Sequence, residues 1–304
     1  MSVLDRTVSL TLPLVPKPIV RHFSKRYIAG SSLDEALEVV RDLHRQRAMV
    51  TLDILGEFIS TREEAMANTE DYIGLLQRIH REQLPETNVS VKLSALGLLM
   101  DEKLCLDNMR RVLEEVSATG NFIRLDMEDS PCTTPTLAIH ETLRSEYGDR
   151  VGVVLQSRMR RTIDDVEEIA RQPTNFRLCK GIYLEPRKIA FTDPELICRN
   201  FVLALDRMFE LGCYVGIATH DEVLVWESLR LIRKHGLGRE EYEFQMLLGV
   251  DEQLRTILID AGHRLRVYVP YGPQWYAYSV RRLRENPQIA GHALRAMFRK
   301  WGHS

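Results

Sequence analysis

The sequence has few cysteines, almost no net charge and no long apolar run. Its five cysteines are far apart and form no CxxC pair, which disfavours both a disulfide framework and a thiolate zinc site. Its 41 basic and 43 acidic residues give a formal net charge of -2, so composition provides no general reason to expect nucleic-acid binding. No apolar stretch is long enough to span a bilayer, and Pro13, Pro16 and Pro18 interrupt the apolar N-terminus where a signal peptide would be continuous. We therefore expect a cytoplasmic protein.

Short apolar runs alternate regularly with helical patterns along the chain. The 304 residues, 44% of them hydrophobic, suffice for one large core or for two smaller ones. Eight runs predict strands, at 49–55, 88–95, 122–127, 151–156, 176–183, 213–219, 242–247 and 265–270. Helical patterns follow them, at 61–82, 103–119, 134–147, 161–172, 194–211, 221–236, 250–262 and 274–285. Eight strand-then-helix units predict an α/β fold that closes as a (βα)8 TIM-type barrel.

The segments outside these units predict three parts of the chain. Residues 1–47 form an N-terminal arm, whose stretch "SLDEALEVVRDLHRQ" predicts a helix with a Ser or Asp cap. Residues 48–287 form the barrel, and residues 288–304 form a C-terminal basic amphipathic helix. We find no low-complexity linker between them.

Polar residues end two of the early strands, where barrel enzymes place their active sites. In "NVSVK" the side chains alternate, so Lys92 and Ser90 face away from Val89 and Val91, and Lys92 is expected to point into the barrel. Asp126 ends the third strand and could pair with Lys92, because a buried ammonium is costly without a partner. The alternative for Lys92 is a side chain that extends to the rim of the barrel.

The fourth and fifth predicted strands add a second cluster of polar residues. Gln156 ends the fourth strand, and Arg177, Lys180 and Tyr183, with Gly181 among them, form a cluster suited to an anion. The alternative is a solvated edge of the sheet.

The sixth strand carries small residues before "THDE". Gly216 and Ala218 would let a flat ring or a pyrophosphate approach the backbone, and Thr219 could cap the next helix. A metal site at His220 and Asp221 is weakly indicated, because no second spaced histidine pair accompanies them.

The last predicted barrel helix has two different faces. Trp275, Tyr278, Arg281, Arg282 and Glu285 follow helical spacing and share one face, separate from an apolar stripe that would hold the helix to the barrel. Two neighbouring guanidinium groups suit a small carboxylate. The alternative is a solvated face stabilised by arginine and glutamate pairs at helical spacing.

Seven motifs, in order, resemble those of the proline dehydrogenase family in its short monofunctional bacterial form. They are "VSVKLSALG", "FIRLDMEDS", "VLQSRMRRT", "RLCKGIY", "IATHDE", "EFQMLLGV" and "YVPYGPQWYAYSVRRLRENP". The resemblance covers about residues 26 to 287. It implies a (βα)8 barrel with non-covalent FAD that oxidises L-proline to Δ1-pyrroline-5-carboxylate and passes electrons to a membrane quinone.

The resemblance also implies roles for individual residues. Arg281, Arg282 and Lys92 would bind the proline carboxylate, while Tyr268 and Tyr278 would wall the ring. Tyr268 stands at the position linked to a preference for proline over hydroxyproline. Asp126 would lie near the substrate amine and the flavin, and Glu285 would pair with an arginine. The implied FAD contacts are Gln156, Arg177, Lys180, Gly181, Tyr183, Thr219 and His220.

The sequence departs from the family pattern at three positions. Cys179 and Ile182 replace the more usual valine and alanine, and Leu248 stands where tyrosine or histidine is common beside the cofactor. Two other functions are open: a Schiff-base aldolase that uses Lys92 or Lys180, and a barrel that only binds carboxylates.

The C-terminal segment suggests where electrons go. Its apolar stripe (Leu294, Met297, Phe298 and Trp301) lies beside Arg295, Arg299 and Lys300, as in a helix on a membrane surface. Packing of this stripe over the barrel is the alternative.

Overall fold

Eight parallel strands form a closed barrel in which each strand bonds to the next and the last bonds to the first. A computed structural model describes residues 26–56, 59–276 and Ser279. The strands are β1 (Met49–Ile54), β2 (Thr87–Lys92), β3 (Ile123–Asp126), β4 (Val151–Gln156), β5 (Asn175–Cys179), β6 (Tyr214–Ala218), β7 (Tyr242–Leu247) and β8 (Leu265–Tyr271). The prediction of a (βα)8 barrel is confirmed.

A helix precedes the barrel and a helix joins each pair of consecutive strands. They are α1 (Leu33–Arg45), α2 (Arg62–Arg81), α3 (Glu102–Thr119), α4 (Ser130–Tyr147), α5 (Thr162–Ile169), α6 (Pro194–Glu210), α7 (Glu222–His235) and α8 (Glu252–Asp260). The serine cap predicted for the arm is confirmed, since the side chain of Ser32 accepts a hydrogen bond from the backbone of Glu35. Within the described residues, no helix has the length and hydropathy of a membrane span.

Three predicted boundaries are wrong by several residues. Strand β2 ends at Lys92, and a 3-10 turn, Leu93–Leu96, replaces the predicted continuation to 95. Strand β5 ends at Cys179 rather than 183, and two residues later Gly181 adopts a φ of 91°, which a strand does not accommodate. Helix α4 begins at Ser130 rather than at the predicted 134, since the proline that follows Ser130 is tolerated in the first turn of a helix. The last predicted helix, 274–285, falls largely outside the described residues.

The barrel wall separates an apolar layer from a polar interior. On each strand the residues that face the helices are hydrophobic and buried; they are aliphatic on β1, as Val50 and Leu52 are, and include aromatic rings on β5 and β7. Most of the alternate residues face the interior with polar or charged groups that are also buried, whereas β4 and β6 contribute small or apolar residues such as Val154 and Gly216. Burial of the outer layer stabilises the barrel, whereas each interior charge needs a partner to offset its lost hydration.

The end of the barrel at the amino termini of the strands holds a layer of buried arginines and their hydrogen-bond acceptors. Arg266 donates to Glu243 at 2.8 Å and 3.0 Å, and Arg124 donates to the backbone and side chain of Asn175, each at 2.6 Å. Burial raises the pKa of a carboxyl group, but the Arg266 guanidinium outweighs it and lowers the pKa of Glu243 to about 2. Burial lowers the pKa of Arg124 to about 9.

Candidate active site

A cavity of about 520 Å³ opens at the carboxyl ends of the strands. Its volume falls within the range of small-molecule sites, and its position is that of active sites in (βα)8 proteins. Ten of the predicted site residues line it: Lys92, Asp126, Gln156, Arg177, Lys180, Gly181, Tyr183, Thr219, His220 and Tyr268. Residues distant in sequence are thus brought together at one place.

Lys92 lies at the floor of this cavity, because strand alternation turns its side chain into the barrel. Its Nζ donates to Oδ1 of Asp53 at 2.7 Å and to the hydroxyl of Tyr268 at 3.3 Å. The expected partner, Asp126, lies farther away, with its Oδ2 at 3.9 Å from Nζ. Of these three groups, the closest to the Lys92 ammonium is therefore Asp53, which comes from the neighbouring strand β1.

Asp126 bonds instead to an arginine and a tyrosine. Its Oδ1 accepts from a guanidinium nitrogen of Arg177 at 2.5 Å, and its Oδ2 accepts from the Tyr268 hydroxyl at 2.7 Å. Burial, reinforced by the carboxylates of Asp126 and Asp53, raises the pKa of Tyr268 well above its ordinary value. The Tyr268 hydroxyl therefore stays protonated and donates to Asp126.

Arg177 crosses the barrel interior and contacts several strands at once. Besides Asp126, its guanidinium donates to Ser90 Oγ at 3.0 Å and to the side-chain oxygen of Gln245. It also lies over the ring of Tyr268, 5.2 Å from the centroid. The Arg177 side chain is only 7% exposed, so it is a buried ion-paired group and not part of a solvated edge.

The loop after β5 holds the other predicted polar residues. Lys180 donates to Asp221 Oδ2 at 2.6 Å. A Cβ on Gly181 would lie 2.5 Å from the side-chain oxygen of Gln156, so this position favours glycine for space as well as for backbone conformation. The backbone carbonyl of Tyr183 accepts from Arg158.

The loop after β6 corrects one expectation. Helix α7 is capped by Asp221, whose side chain accepts from the backbone of Val223 at 3.0 Å. Thr219 does not cap the helix; its hydroxyl oxygen accepts from the backbone N–H of Asp221 at 3.1 Å. Asp221 is the better cap because it lies directly before the helix. His220 Nε2 accepts from the backbone N–H of Leu247 at 2.9 Å, which fixes its ring beside the cavity.

Other predicted residues lie elsewhere. Leu248 is not part of the cavity lining; its N–H donates to the Tyr268 carbonyl at 3.0 Å and its side chain packs against the core, while Met246 and Leu247 form that wall. Trp275, expected on a free helix face, packs against Ile28 and Leu55. The remaining predicted residues fall outside the described part of the chain: Tyr278, Arg281, Arg282 and Glu285.

Two interior residues of the site were missed from the sequence. Asp53 and Gln245 contact Lys92 and Arg177 respectively. Both alternate with apolar neighbours in their strands, in "VTLDI" and "YEFQM", so the alternation that pointed to Lys92 could also have found them. Burial raises the pKa of Asp53, against the opposing effect of the Lys92 ammonium.

The two lysines do not resemble Schiff-base nucleophiles. Lys92 is ion-paired with Asp53 and Lys180 with Asp221. A lysine nucleophile needs its nitrogen directed at a substrate carbonyl, whereas each of these nitrogens donates to a carboxylate, at 2.7 Å for Lys92 and 2.6 Å for Lys180. The ion pairs therefore count against the aldolase alternative. Across the described residues, no three His, Cys, Asp or Glu side chains come together as a metal site requires.

The fold and the cavity define a (βα)8 barrel protein with a charge-paired pocket at the carboxyl end of its strands. The family model "Proline dehydrogenase" matches residues 36–294. Proline dehydrogenase of Deinococcus radiodurans is 36% identical over 282 residues, which is 91% of each chain. Proline dehydrogenase 2 of Bacillus subtilis is 34% identical over 275 residues, 90% of each chain. The chain belongs to the proline dehydrogenase family and is an oxidoreductase of that type.

A solved structure agrees with this assignment. Proline utilization A (PutA) from Bdellovibrio bacteriovorus, inactivated by N-propargylglycine, superimposes with a TM-score of 0.81 at 28% identity. The match covers 86% of this chain and 32% of that one, so this chain spans about a third of the length of that PutA.

Proposed function

We propose that this protein oxidises L-proline to Δ1-pyrroline-5-carboxylate, with non-covalently bound FAD as the acceptor, and passes the electrons to a membrane quinone. The observation that carries the proposal is the pair of opposite charges on the cavity floor, Lys92 and Asp126, with 3.9 Å between Nζ and Oδ2. Free proline is a zwitterion, whose carboxylate and ammonium need charges of both signs. The reaction is the first step of proline breakdown to glutamate.

The cavity fits a flavin in its chemistry. Its apolar wall suits a flat ring system and is formed by Met127, Val154, Ala218, Met246 and Leu247. Gly181 has no Cβ to fill the space beside Gln156, so it leaves room for a ligand at the edge of the cavity. The residues that would hold FAD are Gln156, Arg177, Lys180, Gly181, Tyr183, Thr219 and His220. When bound, FAD supplies a two-electron acceptor, which takes hydride at N5 from the carbon next to the amine.

The remaining task of the protein is to orient the substrate and balance its charge. Lys92 would bind the carboxylate together with Arg281 and Arg282. Asp126 would lie near the amine, and its bonds to Arg177 and Tyr268 hold the carboxylate in one place. Rigid placement of this kind lowers the barrier because the substrate is held in a reactive orientation. Tyr278 would complete the wall of the pocket and Glu285 would pair with an arginine.

The decisive test is anaerobic addition of L-proline to the purified holoenzyme, with flavin absorbance as the readout. Bleaching is expected with L-proline, and a cyclic imine should form in one-to-one ratio with reduced flavin. Pyrrolidine, which lacks the carboxylate, is the matched control and should bleach the flavin much more slowly. Bound flavin that L-proline does not bleach would refute the proposed reaction.

FAD binding has its own test in Asp221→Asn. Asparagine still caps α7 but removes the charge that holds the Lys180 ammonium at 2.6 Å. Because this ion pair is partly exposed, we expect FAD affinity to fall only about two- to fivefold. Flavin fluorescence titration of the apoenzyme measures it, and unchanged affinity would exclude a contribution of the Lys180–Asp221 ion pair to FAD binding.

We also propose that residues 48–287 form the catalytic barrel and that residues 288–304 dock on an anionic leaflet near the quinone. Charge reversal at Arg295, Arg299 and Lys300 should weaken binding to anionic vesicles while leaving flavin bleaching by L-proline intact. Equal vesicle binding by the variant and the unaltered chain would exclude this segment as the membrane contact.

A further inference from the structure

Asp53 is a fully buried carboxylate at the carboxyl end of β1, next to the cavity floor. One of its oxygens, Oδ1, accepts from Lys92 Nζ at 2.7 Å, and the other, Oδ2, has no hydrogen-bond partner among the residues that the structure describes. A buried acid that leaves an oxygen unsatisfied is costly to the fold. Such a cost points to a role for Asp53 that the stability of the barrel alone does not explain.

The position of Asp53 sets where the Lys92 ammonium lies. Nζ lies 2.7 Å from Asp53 Oδ1, 3.3 Å from the Tyr268 hydroxyl and 3.9 Å from Asp126 Oδ2, so Asp53 is the closest of these three groups. Cross-strand pairing aligns Asp53 with Ser90, two residues before Lys92, so the side chains of β1 and β2 meet inside the barrel. The rigid sheet therefore fixes Asp53 relative to the lysine.

Without Asp53, a second carboxylate would compete for the ammonium. Lys92 could close the 3.9 Å gap to Asp126 Oδ2, which already accepts from the Tyr268 hydroxyl. The two opposite charges on the floor would then neutralise each other, and neither would be available to the matching group of a zwitterion.

We propose that Asp53 is a positioning residue, which holds Lys92 away from Asp126 so that the ammonium can receive a substrate carboxylate. The inference rests on the proposed function, since it takes Lys92 as the carboxylate ligand.

Three roles for Asp53 then predict different results on removal of its charge. A positioning role predicts weaker carboxylate binding, a purely electrostatic role predicts tighter binding because an anion leaves the pocket, and a structural role predicts lower stability alone.

The first experiment uses the holoenzyme and Asp53→Asn, which keeps the shape of the side chain. Calorimetry measures Kd for tetrahydrofuran-2-carboxylate, a ring carboxylate without an oxidisable amine. We expect Kd to rise at least tenfold, and KM for L-proline to rise by more than kcat falls. Asp165→Asn is the matched control: Asp165 is also buried and pairs with Arg161 at 2.9 Å, but it lies on the outer helix α5. Its Kd should stay within twofold of the unaltered value.

The second experiment asks whether Asp53 acts through Lys92. In a Lys92→Met background, Asp53→Asn should change Kd by less than twofold, because the group to be positioned is gone. An equal effect in both backgrounds, or tighter binding by Asp53→Asn alone, would overturn the proposal. If Asp53→Asn does not fold, Asp53→Glu keeps the charge and moves it by one methylene; Kd should still rise, and an unchanged Kd would refute positioning.

These outcomes separate the inference from the proposed reaction. If the unaltered enzyme binds the ring carboxylate but L-proline does not bleach its flavin, the reaction fails while the role of Asp53 is still supported by Kd. If L-proline bleaches the flavin and Asp53→Asn binds as tightly as the unaltered enzyme, the reaction stands and the role of Asp53 is excluded.

Discussion

Replacement of Tyr268 by phenylalanine tests the hydrogen bond that links the two charges of the cavity floor. The Tyr268 hydroxyl donates to Asp126 at 2.7 Å and accepts from Lys92 at 3.3 Å. A buried hydrogen bond to a charged group contributes about 1.5 to 3 kcal/mol. If that bond supports the transition state, kcat/KM for L-proline should fall about 10- to 150-fold, since each 1.36 kcal/mol is tenfold in rate.

The ring of the residue is expected to keep its place, so the loss should come from the hydroxyl alone. Phenylalanine preserves the aromatic surface that lies against Arg177. Because burial and two carboxylates raise the pKa of Tyr268 well above its ordinary value, the hydroxyl does not ionise in the assay range. The substitution should therefore lower kcat/KM without changing the shape of its pH profile. It should also admit hydroxyproline more readily, since the removed hydroxyl frees space beside the ring.

The assay is steady-state reduction of an artificial electron acceptor, and Tyr214→Phe is the matched control. Tyr214 donates to Glu243 at 2.9 Å, so its variant loses a tyrosine-to-carboxylate bond at the opposite end of the barrel. It should lose stability but keep kcat/KM within about twofold, as expected for a bond that the reaction does not use. A Tyr268→Phe enzyme within threefold of the unaltered kcat/KM, or an equal loss in both variants, would refute the reasoning.

Two further predictions concern the support beneath the site. Gly216→Ala would place a methyl group against the side-chain nitrogen of Gln245, so we expect a loss of about 1 to 3 kcal/mol in unfolding free energy. Because Gln245 accepts from Arg177, its displacement should also move Arg177 and weaken FAD binding. An alanine variant with unchanged flavin affinity would contradict this. Glu243→Gln should remove about 3 kcal/mol of stability at pH 7, because Arg266 lowers the pKa of Glu243 from 4.5 to about 2. A lowered pKa gives stability that is present above pH 4.5 and lost as the pH falls toward 2. Urea unfolding should therefore show a steeper acid dependence for the unaltered chain than for the variant, and equal slopes would argue against the ion pair.

The barrel and the direction of its interior side chains could be predicted because both follow from local periodicity. Strand alternation was enough to place Lys92 inside, and eight strand-then-helix units were enough to predict closure. Strand ends were less predictable, because they depend on single backbone conformations such as that of Gly181. The cap of α7 was assigned two residues early for a similar reason: both Thr219 and Asp221 have capping side chains, and only geometry selects Asp221.

The partner of each interior charge could not be predicted, because pairing depends on how strands are staggered around a closed barrel. Lys92 and Asp53 are 39 residues apart, and Arg177 reaches Gln245 over 68 residues. The sequence contained several acids that could pair with Lys92, and Asp126 was the plausible choice from sequence alone. Strand register alone would favour Asp126, which is aligned with Lys92, whereas Asp53 is aligned with Ser90. The Lys92 side chain nevertheless leans toward β1, so that Nζ lies 2.7 Å from Asp53 Oδ1 and 3.9 Å from Asp126 Oδ2.

The contacts of the interior explain why this barrel contains charges where aliphatic side chains would pack well. Arg266 bonds to Glu243, Gln245 bonds to both Glu243 and Arg177, and Arg177 bonds to Asp126. Each group is held by a neighbour that is itself held, so movement of one requires buried hydrogen bonds to break elsewhere. An aliphatic interior would stabilise the barrel equally well or better, but it would not fix a carboxylate at the cavity floor. We therefore interpret this hydrogen-bonded network of interior side chains as a rigid support, which fixes the residues proposed to contact the substrate relative to the barrel wall.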